Sequence, residues 1–131
     1  MPRFRWFLVP ALSALALVMP VLAGSAIGHA HVTKVKSTVT IKSGKGTEFT
    51  GKVNSAQKKC RSARKVKLFM EPYSGDKDEL VGTAKTNGSG VWKMEGSFVA
   101  GIYHAEVIAI TVHATATAFR CLFDMSVSAR Y

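Results

Sequence analysis

The densest group of chemically useful side chains is basic. Lys58, Lys59, Arg61, Arg64, Lys65 and Lys67 fall in one short stretch, preceded by Lys34, Lys36, Lys42, Lys45 and Lys52. Clustered cationic groups concentrate anions, which is the chemistry of holding a polyanion: an anionic cell-surface polymer, a polysaccharide or lipid headgroups. The same residues suit a plainer role, because outward lysines keep a β-protein soluble and guard its edge strands. Histidine offers a second chemistry. If the chain were cleaved after Ala30, His31 would become N-terminal, and its amine and imidazole, alongside His104 or His113, would suit the nitrogen ligation of Cu(II). A mobile tail is the simpler expectation for His31. His104 and Glu106 lie two apart on one strand face and would suit zinc, but the sequence indicates no third ligand.

Other candidates reduce to structure. Cys60 and Cys121 are the two cysteines, and in an exported chain an even count reads as one disulfide, here closing a loop of 61 residues. The loop-entropy model puts that staple at about 4 kcal/mol as an upper figure. A redox or nucleophilic thiol is the alternative, but no C-x-x-C is present. Asp76, Asp78 and Glu79 hint at calcium without the rest of a calcium loop, and a solvated turn explains them. Asn87-Gly88-Ser89 matches a glycosylation acceptor, although Asn-Gly in a hairpin is accounted for by turn geometry. No G-x-S-x-G, H-E-x-x-H, P-loop or dinucleotide fingerprint occurs, so neither an enzyme nor a cofactor is expected.

The elements that must position these residues begin with an address. Arg3 and Arg5 precede an apolar run from Trp6 to Leu22, and Val21-Leu22-Ala23 fits a small-x-small cleavage site. This is the tripartite layout of a secretory signal. The run is short for a bilayer, which takes about 20 apolar residues, and Pro10 and Pro20 interrupt it. The expected organisation is a signal helix over 1–23, with cleavage as late as 30, a mobile tail over 24–33 and one domain over 34–131. Removing residues 1–23 from the 131 takes Arg3 and Arg5 away, leaving 108 residues and lowering the formal charge from +10 to +8. Such a chain belongs outside the cytoplasm, secreted or in the cell envelope. It meets the membrane only during export. Nucleic acid is disfavoured as a partner by that compartment and by the lack of an interleaved aromatic platform.

Downstream of the signal the apolar period is two. Val35, Ser37, Val39 and Ile41 alternate with Lys36, Thr38, Thr40 and Lys42. Similar alternation marks Phe49 to Val53, Val66 to Met70 with Phe69 on the wet side, Trp92 to Met94, Tyr103 to Ala109 and Met125 to Ala129. Turn signals at Ser43-Gly44-Lys45-Gly46, Pro72 to Asp76, Asn87 to Gly90 and Ala100-Gly101 separate these runs. The pattern predicts an all-β, antiparallel sandwich of six or seven strands with Greek-key connections. Gly90 and Gly101 are expected at positive φ, and Trp92 and Tyr103 in the core. Ile108, Ile110, Val112 and Ala114 face opposite to Val107 and Ala109. That segment is therefore apolar on both sides, which fits a doubly covered strand or a patch for self-association.

Gly51-x-Val53, Val66-x-Leu68, Gly82-x-x-x-Thr86-x-x-x-Gly90-x-Trp92 and Gly101-x-Tyr103-x-Ala105-x-Val107 follow one another over about residues 48–110. In order and spacing they resemble the carboxypeptidase-regulatory-like, or transthyretin-like, β-sandwich domains. The chain also resembles small secreted lysine-rich proteins of this type, with one cysteine before Arg-x-Val and another near the C-terminus. The resemblance implies a seven-stranded sandwich serving as an accessory, adhesion or polysaccharide-associated module without catalytic residues. N-terminal sequencing of the exported chain is expected to begin at Gly24. A start at His31 would bring the copper reading forward, and an intact Met1 would refute cleavage.

Overall fold

The computed structural model describes residues 31–113 and 117–131. The expected signal helix, the candidate cleavage sites and Ala114 lie outside the described residues. From its start, β1 (Val32–Val35) passes across Lys36 into β2 (Ser37–Val39), and β3 (Lys42–Ser43) follows after Thr40 and Ile41. Val32 and Thr33, the last but one and the last residue of the expected tail over 24–33, are strand residues that pair with Ala118 and Phe119. Next come β4 (Glu48–Ser55), a 3₁₀ turn (Lys58–Cys60), β5 (Lys65–Glu71), β6 (Glu79–Lys85), β7 (Val91–Glu95) and β8 (Ile102–Val107). The chain finishes with β9 (Ile110–His113), β10 (Ala118–Cys121), β11 (Asp124–Met125) and β12 (Ala129–Arg130).

These strands make an all-β sandwich. In one layer β2 and β3 run in succession along one edge of β4, and β7 takes the other edge, all antiparallel. Thr40 keeps the broken edge continuous by donating its N–H to the Lys52 carbonyl at 2.9 Å. In the other layer β6, β5 and β8 are neighbours, and β11 and β12 share the far edge of β8. Taking each broken edge as one strand leaves three strands facing four, within the expected six or seven. The strand β6 follows a poorer alternation than its neighbours, with Leu80 and Val81 both exposed, and the apolar pattern alone does not mark it.

The core forms where the alternation points inward. Val39, Ile41, Phe49, Val53 and Trp92 from one layer meet Val66, Leu68, Tyr103, Ala105 and Val107 from the other. Trp92 and Tyr103 are both 1% exposed, and each satisfies its polar tip. The indole N–H donates to the Thr40 carbonyl at 3.2 Å, and the phenol donates to the Val99 carbonyl at 2.7 Å. Gly51 explains how the indole reaches so far. A Cβ there would stand 1.9 Å from the Thr40 oxygen and 2.6 Å from the indole nitrogen. Gly90 adopts φ +84° as expected, and a side chain at that position would strike the Val53 carbonyl at 2.3 Å. Gly101 departs from expectation. It is buried without positive φ, and an added Cβ would merely touch Tyr103 and Met70.

A third, small sheet was not legible in the periodicity. Here β10 lies between β9, which is antiparallel to it, and β1, which is parallel. The first and last strands each change sheets, β1 leading into β2 and β10 into β11, so the sheet extends the sandwich beyond one end. The Cys60–Cys121 disulfide, Cα atoms 5.3 Å apart, ties it to the 3₁₀ turn. Ile110, Val112 and Phe119 pack on a second core of Val35, Cys60 and Cys121. Ile110 and Val112 of the apolar stripe are thus half-buried against this second core.

Arg64 sits at the junction of all three sheets and is 0% exposed. One terminal nitrogen donates to Ser37 Oγ at 3.0 Å and the Cys60 carbonyl at 2.7 Å. The other donates to the carbonyls of Ile108 at 2.8 Å and Leu122 at 3.1 Å. Burial pushes its pKa down from the ordinary guanidinium value. Arg64→Met would strand four acceptors, each a cost of about 1–3 kcal/mol when buried, while removing one desolvated charge. The expected net loss is about 2–4 kcal/mol in urea denaturation, with Arg64→Lys recovering only part because it lacks the planar fork.

Candidate functional site

The fold divides the basic stretch. Lys58 and Lys59 are exposed on the 3₁₀ turn, Arg61 is half-buried beside it, and Lys65 is exposed at the start of β5. Lys67 is half-buried on the outer face of that strand, opposite Glu106. Arg64 does not belong with them. Its guanidinium points inward and is fully buried, so it does not face an external anion. In its place the topology supplies Lys85, directly opposite Lys65 across the β5–β6 ladder. Two like charges facing each other on one ladder are unfavourable, and nothing in the core requires them.

Of the lysines that precede the stretch, Lys42 and Lys52 lie together on the other layer, while Lys34 stands on β1 of the third sheet. Because β3 and β4 are neighbours, as the expectation of adjacent first strands required, Lys42 lies opposite Thr50. Thr40 and Lys52 are joined by backbone and hydroxyl hydrogen bonds of 2.9–3.3 Å. Thr40, Lys42, Thr50, Lys52, Asn54 and Val91 line an open trough of about 380 Å³ on the outward face of the three-stranded layer. Strand alternation produces this surface automatically. The same residues that bury Val39, Ile41, Phe49 and Val53 must turn their neighbours outward.

The acids explain why these lysines stay uncompensated. Lys93 takes Glu48 at 2.9 Å and Glu95 at 2.7 Å, which raises the ammonium pKa and lowers that of Glu95. Asp124 accepts the Val39 N–H at 2.8 Å, tying the layers together, and Asp76 accepts the Ser74 hydroxyl. Glu71, Asp78 and Glu106 surround His104. Among the described residues, no carboxylate lies in ion-pair range of Lys42, Lys52, Lys65 or Lys85.

The histidines of the copper reading are spread over two sheets. His113 pairs with Ala118 from one side of β10, and His31 precedes the strand that pairs with Ala118 from the other. His104 lies in a different sheet with its ring among carboxylates. Among the described residues no group of three His, Cys, Asp or Glu side chains is placed to hold a metal ion. Asn87 uses its side-chain oxygen to accept the N–H groups of Ser89 and Val91 at 2.9 and 3.0 Å, in keeping with a turn-forming role.

Comparison with known proteins finds no matching family model, curated protein or solved structure. The chemistry must therefore be argued from the surface itself. Lys85→Glu replaces the facing cations with a cross-strand ion pair and is expected to stabilise the fold by about 0.5–1 kcal/mol. Urea midpoints of the native and variant chains check this.

Proposed function

We propose that the protein is an exported, non-catalytic β-sandwich module that binds an anionic envelope polymer along its basic faces. The observation that carries this reading is the trough on the three-stranded layer. Lys42 and Lys52 bring cationic charge without a carboxylate partner, beside hydroxyl and amide groups of Thr50 and Asn54 that suit a polyhydroxylated chain. An open, shallow surface fits a polymer passing over it better than a small molecule enclosed by it. The facing Lys65 and Lys85, with Lys58 and Lys59 nearby in sequence, offer a second contact for a long anion.

Export is supported by the N-terminal charge and apolar pattern, and the Cys60–Cys121 disulfide is compatible with an oxidising compartment. The resemblance to carboxypeptidase-regulatory-like and transthyretin-like domains, several of which accompany polysaccharides, points the same way. Lysine recognition of this kind is electrostatic, so it weakens with salt.

Retention on immobilised heparin, used as a sulfated polysaccharide probe, is expected at low salt and should fall steadily as salt rises. The Lys42→Ser/Lys52→Ser double variant should bind roughly three- to tenfold more weakly, given the modest worth of each exposed ion pair. Lys93→Ser should change little, because that ammonium is already held by two carboxylates. Absence of binding at low salt, or equal binding by the double variant, would refute the trough as the site.

A further inference from the structure

The outward residues of the first strands form a single file that runs on past the trough. From Lys34 to Lys42 burial alternates without a break, although the chain crosses at Lys36 from the third sheet into the three-stranded layer. Val35, Ser37, Val39 and Ile41 are buried, and Lys34, Lys36, Thr38, Thr40 and Lys42 are all exposed. Within the three-stranded layer Asn54 stands beside Thr38 and Lys52 beside Thr40. The trough is therefore one end of a longer surface, and Lys36 leads from it toward the third sheet.

At the far end the file meets a second pair of facing cations. The parallel register of β1 and β10 sets Lys34 directly beside Arg120, and Thr111 of β9 lies on the other side of Arg120. All three are exposed, and a shallow cleft of about 130 Å³ opens at Thr111 and Arg120. Strand alternation turns this row away from Val35, Cys121 and Ile110, on which the second core is built. That core needs neither cation, and like charges on neighbouring strands repel. Among the described residues no carboxylate lies in ion-pair range of Lys34, Lys36 or Arg120. An anionic group seated between Lys34 and Arg120 offsets their repulsion, and the Thr111 hydroxyl is placed to donate to it.

We propose that Lys34, Lys36 and Arg120 carry the far end of one continuous track, whose ligand is a linear anionic polysaccharide long enough to reach from the third sheet to the trough. This rests on the reading of the trough as a polyanion site and adds the form of the polymer. Lys34 and Lys42 are eight residues apart, a span of at most about 26 Å of extended strand. Cations stand at both ends, while Thr38, Thr40 and Asn54 between them present hydroxyl and amide groups. That order suits a sugar chain, which has hydroxyls of its own between its charged groups. A flat anionic membrane makes less use of the neutral middle. The track is also held in one shape. The disulfide fixes β10, and Arg64 ties Ser37 of β2 to Cys60 and to Leu122 just beyond β10. With both ends already placed, a single chain engages them as linked contacts, and its affinity exceeds that for either end alone.

The test is titration calorimetry of the full chain with heparin fragments of graded length, from the disaccharide upward, repeated over a range of salt. Affinity is expected to rise with length by at least about tenfold before it levels off. Lys34→Gln/Arg120→Gln, two exposed changes that leave both cores intact, should weaken long-fragment binding by roughly three- to tenfold. The same variant should level off at a shorter fragment. Its slope of log affinity against log salt should fall by about 1.4–1.8, the equivalent of two fewer counterions released. Lys77→Gln/Arg130→Gln removes the same charge away from the track and should change affinity by less than about twofold. An equal loss with that control, affinity independent of length, or tighter binding to phosphatidylglycerol vesicles than to long fragments would overturn the proposal. A loss with Lys42→Ser/Lys52→Ser but none with Lys34→Gln/Arg120→Gln would overturn the track and leave the trough standing. No binding at low salt would overturn both.

Discussion

The fold depends on a single buried cation. Arg64 lies where the two layers of the sandwich and the small third sheet meet, and its fork binds four oxygens from four separate segments: β2, the 3₁₀ turn, the exit of β8 and the exit of β10. Those segments are where the chain changes sheets, so regular ladders cannot satisfy their carbonyls. A planar guanidinium can reach several acceptors at once in fixed directions, which a lysine ammonium does not match. Among the described residues the charge has no carboxylate in ion-pair range and is met by three carbonyls and the Ser37 hydroxyl, at a desolvation cost that its lowered pKa reflects. Thr86 closes the arrangement around the Arg64 backbone. Its hydroxyl accepts the Arg64 N–H and donates to the Arg61 carbonyl, while its own N–H donates to the Arg64 carbonyl.

The disulfide and the buried arginine divide the work at this end of the molecule. The disulfide holds β10 near the 3₁₀ turn by a covalent constraint, and Arg64 binds the carbonyls of Cys60 and Leu122 on either side of it. Around this joint Ile110, Val112 and Phe119 find apolar cover that a lone two-layer sandwich would not provide. The rest of the surface is then free to separate its charges. Acidic side chains gather about His104 and Lys93, and among the described residues the other lysines have no carboxylate in ion-pair range. A chain with more than twice as many basic as acidic groups thereby presents basic faces and one acidic pocket. Strand alternation sets the acidic cluster and the Lys42–Lys52 trough on the outer faces of opposite layers, while Lys65 and Lys85 share the layer of the acidic cluster.

Much of the sandwich was legible because period-two burial is a local property of each strand. Val35 to Ile41, Phe49 to Val53 and Tyr103 to Val107 announce their inward faces, and large aromatics such as Trp92 and Tyr103 belong inside wherever they fall on that face. Less was legible where neighbours decide. The strand β6 is formed by pairing with β5 and exposes two consecutive apolar residues. Arg64 reads as one more surface cation among Lys58, Lys59, Arg61, Lys65 and Lys67, since nothing in a residue's type reveals that four oxygens await it. The Val66–Met70 alternation does place an arginine two positions before Val66 on the inward side, a weak signal of its buried orientation. Asp78, in the connection between β5 and β6, has no periodic relation to His104, so no spacing rule links them.

What the amino-acid sequence determined by itself was therefore the local and the compositional: strands, turns, an all-β class, a basic and then apolar N-terminal pattern and an excess of positive charge. Those follow from side-chain period, glycine and asparagine at turns, and simple counts. The tertiary structure decided which charges are surface and which are structural. It turned Arg64 into a bracket, set Lys65 against Lys85, brought Lys42 beside Lys52 and folded Asp78 over His104. Each of these depends on strand order and register, which are properties of long-range pairing. One residue's displacement in register would send every such side chain to the opposite face.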